Sequence, residues 1–480
     1  MIEPQETDDQ KGQRMAIIEA FSDIIKQKRK DAIEHRRGSG IESDWAEDED
    51  HYDGIDDANR KSASKMQKGR TPTDGLREPA KELSTRSTVF LKITRPYVDA
   101  AAARVSDMLL PTDDRNFAIR PTPKPMLEAA VAEQPTQQPP QSMFGGVRAA
   151  IGQMFGAGQQ QPAQMNPALV AQDAIAKAKA ASEAAQTTIE DWLVECRYHA
   201  EVRKVIETAA KIGTGVLKGP TPTLKKKRKA SETPNGWTVE IVETLSPDSK
   251  WVDPWNFYPD GACGNNIQNG SYVFECDDIT ARRLTELKSD PTYITEMIDM
   301  CLEEGPISAV DGTRKLKQGE KTKESDQFQI WYFHGHVSKK DMEAAGCSCE
   351  GKELYPAVVT MVNDRVIKVT LSPLDSGEFP YDVMLWQARN DHWAGVGISR
   401  QMRECQRGAN AAVRNLMDNA ALSAGPQIIV DRTKIVPANG KWELTPRKIW
   451  YSKNDAETAA VRKAFTLVSL EPRPADLMGI

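Results

Sequence analysis

Nine carboxylates lie within residues 42–57, a segment that contains neither lysine nor arginine. Trp45, His51 and Tyr52 interrupt this acidic run. A solvated acidic loop is the first interpretation, because like charges close together in sequence repel one another and stay hydrated. Carboxylates beside a histidine could instead hold a metal ion, or they could dock on a basic partner. We expect an acidic loop here and keep the other two interpretations as alternatives.

Two basic stretches could contact phosphate. Residues 211–219 contain the residue types of a phosphate-binding loop, but Lys218 precedes Gly219 and the segment follows a helix instead of opening one. Residues 225–229 are five consecutive cations. We predict that they form the tip of a β-hairpin, where such a run is normally solvated. A loop that contacts phosphate is the alternative for this second stretch.

The sequence contains no clear motif for metal binding or catalysis. His334, His336, Cys347 and Cys349 are close in sequence, yet their spacing fits no standard zinc pattern. We expect surface residues and free thiols there. The chain has neither an H-E-x-x-H motif nor a serine nucleophile elbow. The sequence therefore predicts no catalytic residue, no metal site and no cofactor, and a protein that is not an enzyme.

Composition limits the classes of protein to consider. The chain has 480 residues and a formal net charge of −6, so any contact with nucleic acid must be local. It contains no run of about 18 apolar residues, which is the length a membrane-spanning helix needs. The polar N-terminal residues do not resemble a secretory signal, and the odd number of cysteines, seven, fits reduced thiols. These features predict a protein of the cytoplasm.

One long helix is predicted for residues 398–424, where Gly408 is the single glycine and no proline occurs before Gly425 and Pro426. Its apolar positions recur at steps of three and four residues and are rich in alanine, which favours close packing against a neighbouring helix. The residues expected to make that contact are Ala409, Ala412 and Leu416. Four arginines occupy other faces of the helix: Arg400, Arg403, Arg407 and Arg414.

The remaining patterns indicate an α+β protein. Helices are predicted over residues 15–35, 88–110 and 168–212, the last ending at a glycine. Residues 251–382 alternate short strands, turns and two short helices. Residues 121–167 are rich in proline, glutamine, glycine and alanine and predict a flexible insertion.

The long-helix segment resembles portal proteins of tailed bacteriophages. In that family a turn of glycine and serine opens a helix of pattern Q-x-x-x-N-x-x-x-R-x-x-x-D/N, which a proline and a strand then close. The matching positions are Gly397, Ser399, Gln406, Asn410, Arg414, Asp418 and Pro426. Residues 98–121, 207–219 and 249–284 are also similar to portals of short-tailed phages. The order of these stretches, from about residue 88 to residue 431, carries the resemblance.

The resemblance implies a head-to-tail connector, a ring of twelve identical subunits at one vertex of the capsid. Double-stranded DNA would enter through the ring during packaging and leave through it on infection, without sequence-specific contacts. The implied partners are the major capsid protein, the large subunit of the terminase and a tail adaptor protein, with no membrane. The implied location is the portal vertex of the virion, after assembly in the host cytoplasm.

The same resemblance divides the chain. Residues 1–87 would be an N-terminal helix and acidic loop, and residues 88–397 a mixed wing domain that contains the flexible insertion. Residues 398–425 would be the stem helix, and residues 426–480 the clip that meets the terminase and the adaptor. Portals of this kind continue after the clip into a second stem helix, so we expect the protein to extend beyond Ile480.

In this arrangement the four helix arginines would face either DNA or carboxylates of a neighbouring subunit. Partner contacts of the clip would come from Arg432, Lys434, Lys441, Arg447 and Lys448. Two alternatives from other classes stay open. One is a metal-dependent nucleic-acid-processing enzyme that uses the acidic residues 42–57. The other is a helical scaffold or tail component without a DNA channel.

Overall fold

A computed structural model of the chain describes residues 8–56, 87–111, 117–122, 124–125, 167–233, 236–309, 327–347, 351–423, 427–431, 435–438, 440, 442, 449–452 and 465–468. The fold is mixed α+β, as predicted. Within these ranges, no helix is both long and apolar enough to cross a membrane. Most of the predicted flexible insertion, residues 121–167, lies outside the described residues.

Five helices precede the first strand, and strands predominate in the rest of the described chain. The helices are α1 (Asp8–Gly38), α2 (Ile41–Asp53), α3 (Thr94–Leu109), α4 (Pro167–Glu195), α5 (Tyr198–Ile212), α6 (Ala281–Glu286), α7 (Thr295–Glu304), α8 (Lys339–Ala344) and α9 (Ile398–Ser423). The strands are β1 (Thr214–Thr233), β2 (Gly236–Val252), β3 (Phe257–Pro259), β4 (Tyr272–Thr280), β5 (Gln327–Ser338), β6 (Leu354–Val362), β7 (Arg365–Leu371), β8 (Tyr381–Leu385), β9 (Gln427–Val430), β10 (Ile435–Pro437), β11 (Trp450–Ser452) and β12 (Phe465–Val468).

A five-stranded antiparallel sheet of order β3-β4-β5-β6-β7 forms the larger core. Both of its faces are covered, because side chains of β5 alternate between two buried clusters. On one face Trp331 and Phe333 pack under α1, and on the other Phe328 and Ile330 pack under α7. The buried guanidinium of Arg29 fixes α1 in place, since it bonds the carbonyl of Asn363 at 2.6 Å.

A second antiparallel sheet has the order β2-β1-β8, and β8 pairs only with the first residues of β1, Thr214 to Lys218. The basic residues 225–229 lie within β1, so the prediction that they form a hairpin tip is wrong. Pairing of β1 with β2 continues through this stretch, which places Lys226 opposite Glu243 and Lys229 opposite Glu240. Opposite charges across a strand pair favour continued pairing.

One buried carboxylate joins the two sheets. Glu275 of β4 accepts hydrogen bonds from Lys218 at 2.6 Å, from Lys250 at 3.1 Å and from the Tyr381 hydroxyl at 2.7 Å. Burial by itself would raise the pKa of Glu275, but the two ammonium groups outweigh it and hold the pKa at about 2. The glutamate is therefore ionised at neutral pH and holds β1, β2, β4 and β8 together.

His334 of β5 was expected at the surface, yet it is buried because the second sheet covers this part of the first. Its ring meets the Tyr381 ring edge-on, with centroids 5.1 Å apart. Its Nε2 atom has no hydrogen-bond partner among the residues that the structure describes. Burial, and to a lesser extent the charge of Lys218, lowers the pKa of His334 from 6.5 to about 3.

We expect the free energy of unfolding to fall as the pH decreases from 7 to 5. The pKa of folded His334, about 3, is below its unfolded value of 6.5, so protons bind preferentially to the unfolded chain. Each pH unit below 6.5 costs up to about 1.4 kcal/mol through this one residue. Urea unfolding at both pH values should show a smaller decrease for His334→Gln than for the natural chain. Equal decreases would contradict the assignment of this pH dependence to His334, since all other titratable groups are common to both proteins.

The N-terminal helix is confirmed, but the predicted acidic loop is wrong because residues 41–53 form helix α2. Gly40 and Gly54 bound this helix in left-handed conformations, with φ of 74° and 80°. Spacings of four and three residues place its buried positions on one face, and Trp45 there meets the rings of Trp255 and Trp393. The buried positions are Ile41, Trp45, Asp48 and His51.

Two other predicted helices differ from the structure. Helix α3 starts at Thr94, and residues 87–93 before it belong to no helix or strand. The helix predicted over residues 168–212 is divided at Arg197, whose φ of 55° is left-handed. The prediction that this helical segment ends at Gly213 is confirmed.

Candidate functional site

Helix α9 occupies residues Ile398–Ser423, so the prediction of one long helix is confirmed. It packs on α2, α3 and α5. These three helices come from widely separated parts of the chain, and α9 therefore joins the N-terminal helices to the rest of the fold. Most sequence-predicted functional residues of the described chain lie on this helix or contact it.

One side of α9 bonds residues 87–94 through its side chains. Residues 87–91 are called the extended segment, because their bonds to α9 recur at every second residue. The buried Gln406 makes most of these contacts. Its Oε1 accepts hydrogen bonds from the amides of Ile93 at 3.0 Å and Thr94 at 3.1 Å, and from the Thr94 hydroxyl at 3.2 Å. Its Nε2 donates to the carbonyl of Leu91. The glutamine thus acts as the hydrogen-bond partner that a neighbouring strand would otherwise provide.

Three further side chains continue this pattern at steps of four residues, and together with Gln406 they form the polar row. Four residues of helix advance about 6 Å, and two residues of an extended chain advance about 6.6 Å, so the two segments stay in register while running antiparallel. The remaining contacts are Asn410 Oδ1 with the Leu91 amide at 2.9 Å, Arg414 Nε with the Val89 carbonyl at 2.9 Å and Asp418 Oδ1 with the Ser87 amide at 2.5 Å.

The turn before α9 passes so close to the end of α5 that only glycine fits. A Cβ on Gly213 would lie 2.5 Å from the Val396 carbonyl carbon, and one on Gly397 would lie 2.6 Å from the Lys211 carbonyl oxygen. The Gly395 amide donates to the Thr214 hydroxyl at 3.0 Å. Two stretches that carry the resemblance, around residues 213 and 397, are therefore in direct contact.

Two of the four predicted arginines of α9 are paired with the acidic helix α2. Arg400 contacts Asp44 at 2.6 Å and Asp48 at 3.2 Å, and Arg403 contacts Glu47 at 3.0 Å. Burial raises the pKa of Asp48 to about 7, although the charge of Arg400 opposes this shift. The α2 carboxylates that were candidates for metal binding or docking thus face arginines of the same chain.

The other two arginines differ in their surroundings. Arg414 bonds Asp56 as well as the extended segment, and it is 20% exposed. Arg407 is 54% exposed, and it forms an ion pair with Glu404, one turn earlier, at 3.4 Å. Arg407 is consequently the predicted arginine with the most freedom to meet a group outside this chain.

A cleft of about 870 Å³ is lined by residues of both α2 and α9. His51, whose buried Nδ1 has no hydrogen-bond partner among the described residues, is part of its wall. Burial lowers the pKa of His51, and the nearby Arg407 and Arg403 lower it further. Three arginines face four carboxylates around the cleft, which leaves no excess of positive charge to attract a phosphate. They are Arg37, Arg407, Arg414, Glu42, Glu47, Asp50 and Asp56.

Metal binding has no support in the described part of the chain. The described residues contain no group of three or more histidine, cysteine, aspartate or glutamate side chains placed to hold a metal ion. Cys347 donates a hydrogen bond to the Val369 carbonyl at 3.0 Å, whereas Cys349 lies outside the described residues.

The predicted packing face of α9 is intermediate in exposure. Half-buried positions are Ala409, Ala412 and Leu416. Next to them runs an exposed face that begins with Gln401 and Glu404 and continues with small side chains, Cys405, Gly408, Ala411 and Asn415. All five clip residues, Arg432, Lys434, Lys441, Arg447 and Lys448, lie outside the described residues.

Comparison with models of known protein families gives no match for this chain, and comparison with curated proteins gives none either. The interpretation of function therefore depends on the resemblance in its motifs and on the geometry of α9. Sequence reasoning found the four positions of the polar row but not their role. Their spacing of four was a signal, because polar residues on one stripe of a helix need polar partners.

Proposed function

We propose that this chain is a portal protein of a tailed bacteriophage, which forms a ring of twelve subunits at one capsid vertex. Double-stranded DNA passes through the ring during packaging and ejection. The major capsid protein surrounds the ring, and the large terminase subunit and a tail adaptor bind it in turn. What supports the proposal is the order of portal-like motifs together with the arrangement of α9.

The observation that carries the proposal is the two-sided character of α9. Its polar row and its contacts with α2, α3 and α5 hold one side within the chain. The other side is exposed and carries small residues from Cys405 onward, after Gln401 and Glu404 in the first two turns, and a Cβ added at Gly408 would meet nothing within 4 Å. A helix that is packed within the chain on one side and carries small side chains on the other can pack closely against copies of itself around a symmetry axis.

The charges of α9 fit a channel that DNA must leave again. Each phosphate that a protein neutralises strengthens DNA binding by counterion release, so a strongly basic channel would hold the duplex. Arg400, Arg403 and Arg414 are paired within the chain. Arg407 remains for DNA or for a carboxylate of the neighbouring subunit.

Negative-stain imaging of the purified chain tests this function. We expect ring-shaped particles with a central hole, and no metal-dependent nuclease activity. Monomers that cleave nucleic acid in Mg²⁺ and lose this activity on chelation would refute the proposal in favour of an enzyme. Filaments or solid particles would favour a scaffold or tail component without a channel.

A further inference from the structure

Beyond the three-stranded part of the second sheet, β1 and β2 continue as a long two-stranded ribbon, residues 222–233 and 236–246. Each arm is about 40 Å long at roughly 3.3 Å per residue. Within the described part of the chain, no third strand pairs with the ribbon. Two strands alone are marginally stable in water, and a face that buries apolar side chains against a partner is needed to stabilise them.

One face of the ribbon carries three exposed apolar side chains, with the charged Arg228 and Glu243 among them; it is called the apolar face below. Leu224 and Leu245 are directly opposite each other, and Ile241 lies four residues from Leu245, hence on the same side. These three side chains are between 61% and 70% exposed. This face of the ribbon therefore leaves three large apolar side chains in contact with solvent.

Helix α4 is the other unusually exposed element. Most of its described side chains are exposed, including Ile175 at 38%, Trp192 at 52% and Val194 at 72%. Its 29 residues give a length of about 43 Å, which matches the arms of the ribbon. Its many alanines allow a strand pair to approach the helix closely.

The two elements also carry opposite charge. Residues 222–246 contain five cations and three carboxylates, an excess of two positive charges. Helix α4 contains two lysines and five carboxylates, an excess of three negative charges, and Glu190, Asp191 and Glu195 flank the exposed Trp192 and Val194.

We infer that the apolar face of the ribbon binds helix α4 of a second copy of this chain. The inference rests on the proposed function, because the contact joins adjacent subunits of the ring. It is a head-to-tail contact, in which every subunit gives its ribbon to one neighbour and its α4 to the other. Such contacts close into a ring after a fixed number of copies.

Two double variants of the full chain test this contact by mass photometry. The ribbon variant is Leu224→Asp with Leu245→Asp, and the helix variant is Trp192→Asp with Val194→Asp. Each alone should be monomeric at concentrations where the natural chain forms rings. An equimolar mixture should form dimers of one copy of each, because one intact ribbon still meets one intact α4.

Controls separate this contact from folding and from the proposed function. Leu354→Asp with Leu371→Asp changes two other exposed leucines and should leave rings intact. Circular dichroism must show that each variant unfolds in the same transition as the natural chain. If an aspartate variant does not fold, serine is placed at the same positions, and we expect it to weaken assembly at least tenfold. Rings formed by either variant, or a mixture of folded variants without dimers, would overturn the inference and leave the portal function standing. If the natural chain itself formed no rings, the proposed portal function would be refuted.

Discussion

Replacing Gln406 by alanine should lower the free energy of unfolding by about 2–4 kcal/mol, because the buried amide and hydroxyl of Thr94 lose their partner. The amide of the half-buried Ile93 and the carbonyl of the exposed Leu91 also lose a bond to Gln406 but keep the one between them. Urea unfolding measures the loss. Hydrogen exchange should show the Thr94 amide losing its protection, since it donates to the glutamine side chain.

Gln401→Ala is the matched control on the same helix. Gln401 is exposed and bonds another side chain, Gln387, so its replacement should change stability by about 0.5 kcal/mol or less. A loss below 1 kcal/mol for Gln406→Ala, with the Thr94 amide still protected, would show that Gln406 does not hold the residues at the start of α3.

Gly213→Ala should destabilise the chain by about 3–5 kcal/mol or prevent folding, through two effects that add. The φ of Gly213 is 92°, which costs an alanine roughly 1–2 kcal/mol or more. The added Cβ would also lie 2.5–2.6 Å from backbone atoms of Gly395, Val396 and Gly397, which cannot move without shifting the start of α9. Thermal unfolding followed by circular dichroism measures the effect.

Gly12→Ala is the control, and we expect it to raise the stability of the chain slightly where Gly213→Ala lowers it. Gly12 lies within α1, and a Cβ there would meet nothing within 4 Å. Alanine in a helix is favoured over glycine by about 0.5–1 kcal/mol, so this variant should be slightly more stable than the natural chain. If both glycine variants behaved alike, the close approach between α5 and the turn before α9 would not be a constraint.

Local pattern was enough to predict several elements. Gly425 and Pro426 after an uninterrupted helical stretch gave the extent of α9 to within one residue, and Gly213 marked the end of α5. The α+β class followed from strands and helices in alternation between residues 251 and 382. In these places, propensity and tertiary structure agree.

The failures have a common physical reason, which is contact between residues far apart in sequence. The acidic segment 41–53 becomes a helix because Trp45 is buried against Trp255 and Trp393 and because arginines of α9 offset its charges. Repulsion within the segment predicts a loop only when such partners are ignored. The spacing of Ile41, Trp45 and Asp48 was the signal that could have revealed a helix.

The same reason explains the polar row. Gln406 and its partner Leu91 are separated by 315 residues, so no local pattern could pair them. The basic stretch 225–229 is a similar case, since its place within β1 depends on the residues opposite it in β2. Sequence indicated which residues matter, and the fold determined what they contact.

The most direct test of the portal function is a cryo-electron microscopy reconstruction of the assembled chain. The account predicts rotational symmetry, with the small-residue face of α9 beside the α9 of adjacent subunits around an axial hole that admits a DNA duplex. A reconstruction without rotational symmetry, in which α9 is enclosed within one isolated chain, would contradict it.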